Sequence, residues 1–170
     1  MIVSAIAAIS RFGCIGRDND MPWNVPADMR YFMQTTKGHH VITGRKNYEA
    51  MGKLPRRTNI IVTRQKNYTA KDCIVVHSIE AGIELARFNG ESEAFVIGGG
   101  QIYQMVFDKK LIDKLYLTKL DLEVENCEVF FPKVDPAQWT EISRREGVID
   151  EKNTVAQTYL VFERNDLMLQ

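Results

Sequence analysis

The chain has 170 residues, enough for one domain that buries a core without covalent staples. Lys+Arg and Asp+Glu balance at 22 each, which argues against a surface built for nucleic acid or an anionic membrane, although a local basic pocket stays open. Cys14, Cys73 and Cys127 are odd in number and widely spaced, with no CxxC pair. Neither a disulfide framework nor a zinc site is expected, and a reducing, cytoplasmic setting is the simpler one.

The apolar start, Met1 to Ile9, lacks a basic leader and is short, so it reads as a buried strand over Ile2–Ile9 and not as a signal peptide. No run is long enough to cross a membrane. Ser10 to Val25, roughly 16 residues of Gly, Asp, Asn and Pro without periodicity, exceeds the usual connection and reads as a binding loop or lid, or as a passive surface excursion. Pro26 opens a helix through about Thr36, with Met29, Phe32 and Met33 as its apolar stripe. A strand over Val41–Thr43 precedes a helix near Lys46–Met51 that Gly52 ends.

Strands over Asn59–Thr63 and Ile74–His77 follow, then a helix near Ile79–Phe88, a strand over Ala94–Ile97, a helix over Gln101–Phe107 and a strand over Lys114–Asp121. Trp139–Glu146 and Thr154–Arg164 close the chain as a hairpin around Asp150–Asn153. The alternation predicts a single-domain α/β fold. Its mainly parallel twisted sheet has about eight strands and a C-terminal antiparallel hairpin, with about four helices on both faces. Residues 1–164 form the domain and 165–170 a short tail.

Familiar hydrolase, zinc-protease and P-loop patterns are missing. His39 and His40 read as a polar turn, not as a metal pair, and no metal site is expected. Four segments carry chemistry. In Asn19-Asp20-Met21-Pro22-Trp23-Asn24-Val25-Pro26-Ala27-Asp28, Asp28 falls in the first helical turn with Phe32 on the same face. It is either a solvated carboxylate favoured by the helix dipole or one set among Trp23, Met29, Tyr31 and Phe32. A carboxylate of the second kind has a raised pKa and pairs with a flat, amidine-like edge.

Thr43-Gly44-Arg45-Lys46-Asn47-Tyr48-Glu49 joins a strand to a helix with two cations at the junction, suited to an anion or simply solvated. Leu54-Pro55-Arg56-Arg57-Thr58-Asn59 delivers an arginine able to clamp a carboxylate bidentately, or idle on the surface. Phe95-Val96-Ile97-Gly98-Gly99-Gly100-Gln101-Ile102-Tyr103 places three glycines between a strand and a helix. This is not the GxGxxG fingerprint, yet it suits a diphosphate, or a merely flexible turn.

In this order, with Ile6-Ala7-Ala8 before and Tyr116-Leu117-Thr118 after, the segments resemble the dihydrofolate reductase family over essentially the whole chain, from Ile2 to Arg164. The resemblance implies an NADPH-dependent oxidoreductase of tetrahydrofolate synthesis. Asp28 would bind the 2-amino group and N3 of the pterin, supported by Thr118. Ile6, Ala7, Met29, Phe32, Met51, Leu54 and Ile97 would line the pocket, Arg57 would take the α-carboxylate of the glutamate tail, and Trp23 would hold a water and anchor the mobile loop.

For the cofactor it implies Ala8, Ile15, Gly16 and Asn19 near the nicotinamide, with Gly98, Gly99, Gly100, Gln101, Ile102 and Tyr103 facing nicotinamide and diphosphate. Arg45, Lys46 and Asn47 would meet phosphates, and Thr63, Arg64 and His77 the adenosine 2′-phosphate. It also implies inhibition by methotrexate and trimethoprim-like diaminopyrimidines, and a monomer.

Departures stand beside these matches. Asn47 replaces a threonine, Ala50 a serine and Arg56 a glycine. Asn126-Cys127-Glu128-Val129-Phe130-Phe131-Pro132 alters the loop that braces the lid in the family, with Glu128 standing in for an aspartate. Two other readings compete. A pyrimidine reductase of riboflavin synthesis would not need Asp28 together with Arg57. The other is a protein that kept the fold for binding alone, against which the intact Asp28, Arg57 and glycine turn argue.

Overall fold

Successive residues of a strand point to opposite faces, and strand β1 (Ile2–Ile9) divides its side chains between two cores accordingly. Val3, Ala5 and Ile9 join one cluster and Ile6 joins the other. The structure, a computed structural model, describes residues 1–18 and 20–166. Among the predicted site residues, Asn19 lies outside the described residues.

The elements that follow are β2 (Cys14–Gly16), α1 (Pro26–Thr36), β3 (His40–Gly44), α2 (Arg45–Met51), β4 (Thr58–Val62), β5 (Ile74–Val76) and α3 (Ile79–Phe88). Then come β6 (Glu93–Gly98), α4 (Gly100–Asp108), β7 (Lys114–Leu120), β8 (Val129–Phe130), β9 (Trp139–Glu146) and β10 (Gln157–Arg164). Eight strands form one sheet in the order β5-β4-β3-β6-β1-β7-β10-β9. Pairing is parallel from β5 to β7, and the final hairpin adds two antiparallel strands. This is the predicted α/β architecture.

Helices α3 and α4 cover one face, where Ile79, Ile83, Ala86, Ile102, Tyr103 and Val106 pack with Ile42, Ile60 and Val96. Helix α1 covers the other, with Tyr31, Phe32 and Met33 against Ile6, Val41, Leu54, Phe95 and Ile97. Fully burying a large aliphatic side chain contributes about 1.5–3 kcal/mol, so two faces of Ile, Val and Leu account for near-continuous apolar strands. Pro26 opens α1, and Ser78 caps α3 by accepting a bond from Ala81 N–H at 3.1 Å.

Four expectations need correction. The segment from Ser10 to Val25 contains β2, which pairs antiparallel with β8 through Cys14↔Phe130 and Gly16↔Val129. Strands this short carry no readable alternation, and the partner is distant in sequence. Cys14 and Cys127 are joined in a disulfide across 113 residues, with Cα atoms 6.0 Å apart, against the expectation of none, while Cys73 is a thiol. The β2–β8 register creates that proximity, and cysteine spacing cannot report it.

The third correction is at the histidines. Their Nδ1 atoms lie 2.9 Å (His39) and 2.7 Å (His40) from the Glu91 carboxylate, so they tie the start of β3 to the turn before β6. The last strand also begins at Gln157, later than Thr154, because Asp150 accepts bonds from Lys152 N–H and Asn153 N–H and holds the connection in a turn.

Candidate active site

Parallel sheets offer ligands the carboxyl ends of their strands, where loops and helix starts leave backbone groups free. Here the ends of β3 and β6 lie side by side, with Thr43 registered on Gly98, and β1 places Ala8 opposite Thr118 of β7. Helix α1 brings Asp28 to this end. Burial pushes the Asp28 carboxyl above its ordinary range, and a hydrogen bond from Thr118 draws it partly back. Thr118 is itself buried. A carboxyl so placed is an acceptor for a cationic or protonated edge and resists ionisation more than a solvated aspartate does.

Around it the predicted apolar residues divide. Ile6, Phe32, Leu54 and Ile97 belong to one cluster. Ala7 directs its side chain to the opposite face, which leaves its backbone to the site. Met29 and Met51 are exposed, at the rim. Trp23 is half-buried in the segment leading to α1.

The turn at Gly98–Gly100 depends on having no side chains. Gly98 has φ +116° and lies beneath the Tyr103 ring, where a Cβ would stand 3.1 Å from Cε2. Its peptide bond to Gly99 is cis. Tyr103 donates its phenol to the Ile6 carbonyl at 2.6 Å, and burial, then the charge of Asp28, pushes that phenol strongly up. Gly99 is the N-cap of α4, so no side chain competes for the first-turn N–H groups. These suit an anion at the helix start. Gln101 is exposed there, while Ile102 is buried.

Asn47 stands beside this turn. Its amide donates to Thr43 Oγ1 at 2.9 Å and to the Ile97 carbonyl at 3.4 Å, and Thr43 Oγ1 donates to the Gly98 carbonyl at 3.0 Å. The departure from threonine thus places an amide that ties α2 to the end of β6. Arg45 forms a two-pronged ion pair with Glu49 at 3.0 Å, so it meets a neighbouring carboxylate as well as any ligand. Lys46 is exposed. Thr63, Arg64 and His77 come together at the ends of β4 and β5, where His77 Nδ1 lies 2.9 Å from the Thr63 carbonyl.

Arg57 is held in place before any ligand arrives. Its guanidinium donates to Thr36 Oγ1 at 3.1 Å, to the Pro55 carbonyl at 2.5 Å and to the Met33 carbonyl. Burial, then the nearby Arg56, pulls its pKa below the ordinary value. The residue that fixes this turn escaped the sequence reading. Buried Asn59 accepts from Leu54 N–H at 2.9 Å and donates to the Leu54 carbonyl at 2.8 Å and the Arg57 carbonyl at 3.1 Å. Its sequence signal is the asparagine two residues after Arg57, in the same segment.

In the altered loop, the Glu128 carboxylate accepts from Asp18 N–H at 3.2 Å. Ile15 and Gly16 lie in β2, and the Val129 side chain packs between Gly16 and Gly100.

Comparison with known proteins agrees with this arrangement. Residues 2–164 match the sequence profile of the family described as Dihydrofolate reductase. The dihydrofolate reductase of Staphylococcus haemolyticus is 44% identical over 163 residues, covering 95% of each chain. That of Bacillus subtilis (strain 168) is 38% identical over 166 residues, covering 97% of this chain and 96% of the relative. Among solved structures, dihydrofolate reductase from Enterococcus faecalis complexed with NADP(H) and RAB-propyl superposes with a TM-score of 0.87 at 32% identity, covering 97% of both chains. This chain belongs to the dihydrofolate reductase family, whose members are enzymes.

Proposed function

We propose that the chain reduces 7,8-dihydrofolate to 5,6,7,8-tetrahydrofolate with NADPH, in the service of one-carbon metabolism, with the roles of individual residues as follows. Residues 1–164 act as one catalytic domain in a cytoplasmic monomer. The observation that carries the reading is Asp28, a carboxyl raised by burial and bonded to Thr118, beside the apolar face of Ile6, Phe32 and Ile97.

Asp28 accepts paired hydrogen bonds from the 2-amino group and N3 of the pterin, and Thr118 fixes the carboxylate for that edge. Ile6, Phe32, Leu54 and Ile97 hold the flat ring, Met29 and Met51 flank the aminobenzoyl group, and Arg57 takes the α-carboxylate of the tail. NADPH supplies the hydride, from C4 of its nicotinamide to C6 of the pterin. The chain fits that cofactor because the glycine turn admits close backbone approach and α4 begins there with unoccupied N–H groups. Thr63, Arg64 and His77 favour the 2′-phosphate, the charge that separates NADPH from NADH.

Asp28 sits too far from N5 to protonate it directly. It polarises the bound ring, and a water held near Trp23 delivers the proton. The segment around Ile15 and Gly16 excludes bulk water. Methotrexate and trimethoprim-like diaminopyrimidines present the same amidine-like edge to Asp28 and inhibit.

The test follows loss of the reduced nicotinamide absorbance with dihydrofolate, with NADH as a parallel arm. Rapid loss with NADPH, slower with NADH and blocked by methotrexate, supports the reading. Asp28→Asn lowers turnover at neutral pH by about 100-fold or more while NADPH still binds. Preserved turnover in that variant overturns the role of Asp28.

A further inference from the structure

The β2–β8 ribbon crosses the turn that the proposed function gives to the cofactor. Val129 of β8 packs onto the Cα of Gly100, the first residue of α4, and Ile15 Cδ1 reaches the same point. Several contacts hold the ribbon together. Phe131 N–H donates to the Gly13 carbonyl at 2.9 Å and Glu128 N–H to the Gly16 carbonyl at 3.2 Å. Arg17 Nη1 donates to the Glu125 carbonyl at 3.0 Å. Glu125 and Glu128 are exposed and Gly13, Gly16 and Arg17 half-buried, so this part of the ribbon sits where opening is easy, while Phe131 anchors its end in the core. The Cys14–Cys127 disulfide is the covalent link between the two segments.

We propose that Cys14 and Cys127 form a reversible thiol–disulfide site, taking a dithiol reductant, that fastens the β2–β8 ribbon over the Gly98–Gly100 turn. Its effect on the cofactor rests on the function proposed above. The two sulfurs are not equivalent. Cys14 is buried and Cys127 half-buried, so an incoming thiolate attacks Cys127 Sγ, the more accessible of the pair. The S–S bond breaks, Cys14 leaves as a thiolate and is protonated, and Cys127 forms a mixed disulfide with the reductant. The second thiol of the reductant displaces Cys127. The protein gains two electrons and two protons, and the dithiol becomes its own disulfide. The site also reconciles a covalent bridge with a reducing compartment: the pair stands as two thiols in that setting and closes when the poise turns oxidising. The reduced ribbon, held by hydrogen bonds and packing without its covalent link, opens more often above Gly100.

Full-length protein is equilibrated in reduced or oxidised dithiothreitol, then denatured and labelled with maleimide. The oxidised protein takes one label, on Cys73, and the reduced protein three, one for each cysteine of the chain. Amide exchange over residues 13–18 is read on both forms and speeds up about tenfold on reduction. Cys127→Ala exchanges at the reduced rate in either buffer, and the reduced wild-type chain provides the same comparison without a substitution. Three labels after oxidation, or exchange that ignores the redox state, overturns the proposal. NADPH oxidation with dihydrofolate is followed in parallel. Its absence in both forms strikes the functional reading alone, because labelling and exchange are read without turnover.

Discussion

The Tyr103 phenol donates to the Ile6 carbonyl oxygen at 2.6 Å, across 97 residues, and so fixes α4, the helix that follows the glycine turn, against strand β1. Both residues are buried, and an acceptor left without its donor there costs about 1–3 kcal/mol. Tyr103→Phe is expected to lose that much stability in urea. It also slows hydride transfer about tenfold, since a small displacement of the rings is enough. Single-turnover measurements check the second effect. Wild-type hydride transfer would show that the bond serves stability alone.

Arg57 gives a separable prediction. Its donors are spread over Thr36, Pro55 and Met33, an arrangement an ammonium cannot reproduce. Arg57→Lys is expected to raise KM for dihydrofolate by about 10- to 100-fold, the worth of one charge-assisted bond, with little change in kcat. A substrate analogue lacking the glutamyl α-carboxylate shows no such penalty. An equal penalty for both substrates would remove Arg57 from the tail site.

Gly100 and Val129 form a compensating pair. A Cβ on Gly100 would run into Val129 Cγ1, so Gly100→Ala displaces β8. NADPH affinity is expected to fall about tenfold, as overpacking costs about 1–3 kcal/mol. Adding Val129→Ala restores most of it, because the double variant removes the clash. Titration of the bound cofactor reads both, and failure of the second change to help would place the damage in the turn itself.

Glu91 governs acid stability. Burial raises its pKa, but bonds from His40, His39, and the His40 and Glu93 N–H groups outweigh that and hold the carboxyl at about 2, from an ordinary 4.5. A depressed folded-state pKa means stability that is fully present above 4.5 and is lost as pH falls toward 2. Glu91→Gln is expected to lower Tm at pH 7 by roughly 4–8 °C, with the gap to the wild type closing over that acid window. A gap that persists at pH 2 would show that lost packing and not charge is responsible.

Asp28, Arg57 and the three glycines were legible because each sits in a local pattern: a first helical turn, a turn before a strand, a strand feeding a helix. The inner parallel strands of the central sheet were legible for the same reason, being apolar runs of ordinary length. Asn59 was not, since an asparagine in a turn has several uses and only the fold shows its amide closing on Leu54 and Arg57. The pairing of β2 with β8 and the Cys14–Cys127 bridge depend on contacts across more than a hundred residues. Glu49 beside Arg45 was visible as an i,i+4 pair, yet the charge pattern alone did not say whether the arginine faced a ligand or its helical neighbour.

The strand order has a consequence for synthesis on the ribosome. Strand β1 emerges first but lies between β6 and β7, so residues 2–9 have neither neighbour until residues 93–98 and 114–120 have been made. A nascent chain stalled near its midpoint exposes an apolar strand with two bare edges, the kind of surface that recruits chaperones or other stalled chains. Translation pauses in the first half of the message should therefore cost soluble yield, whereas pauses after residue 120 should be tolerated.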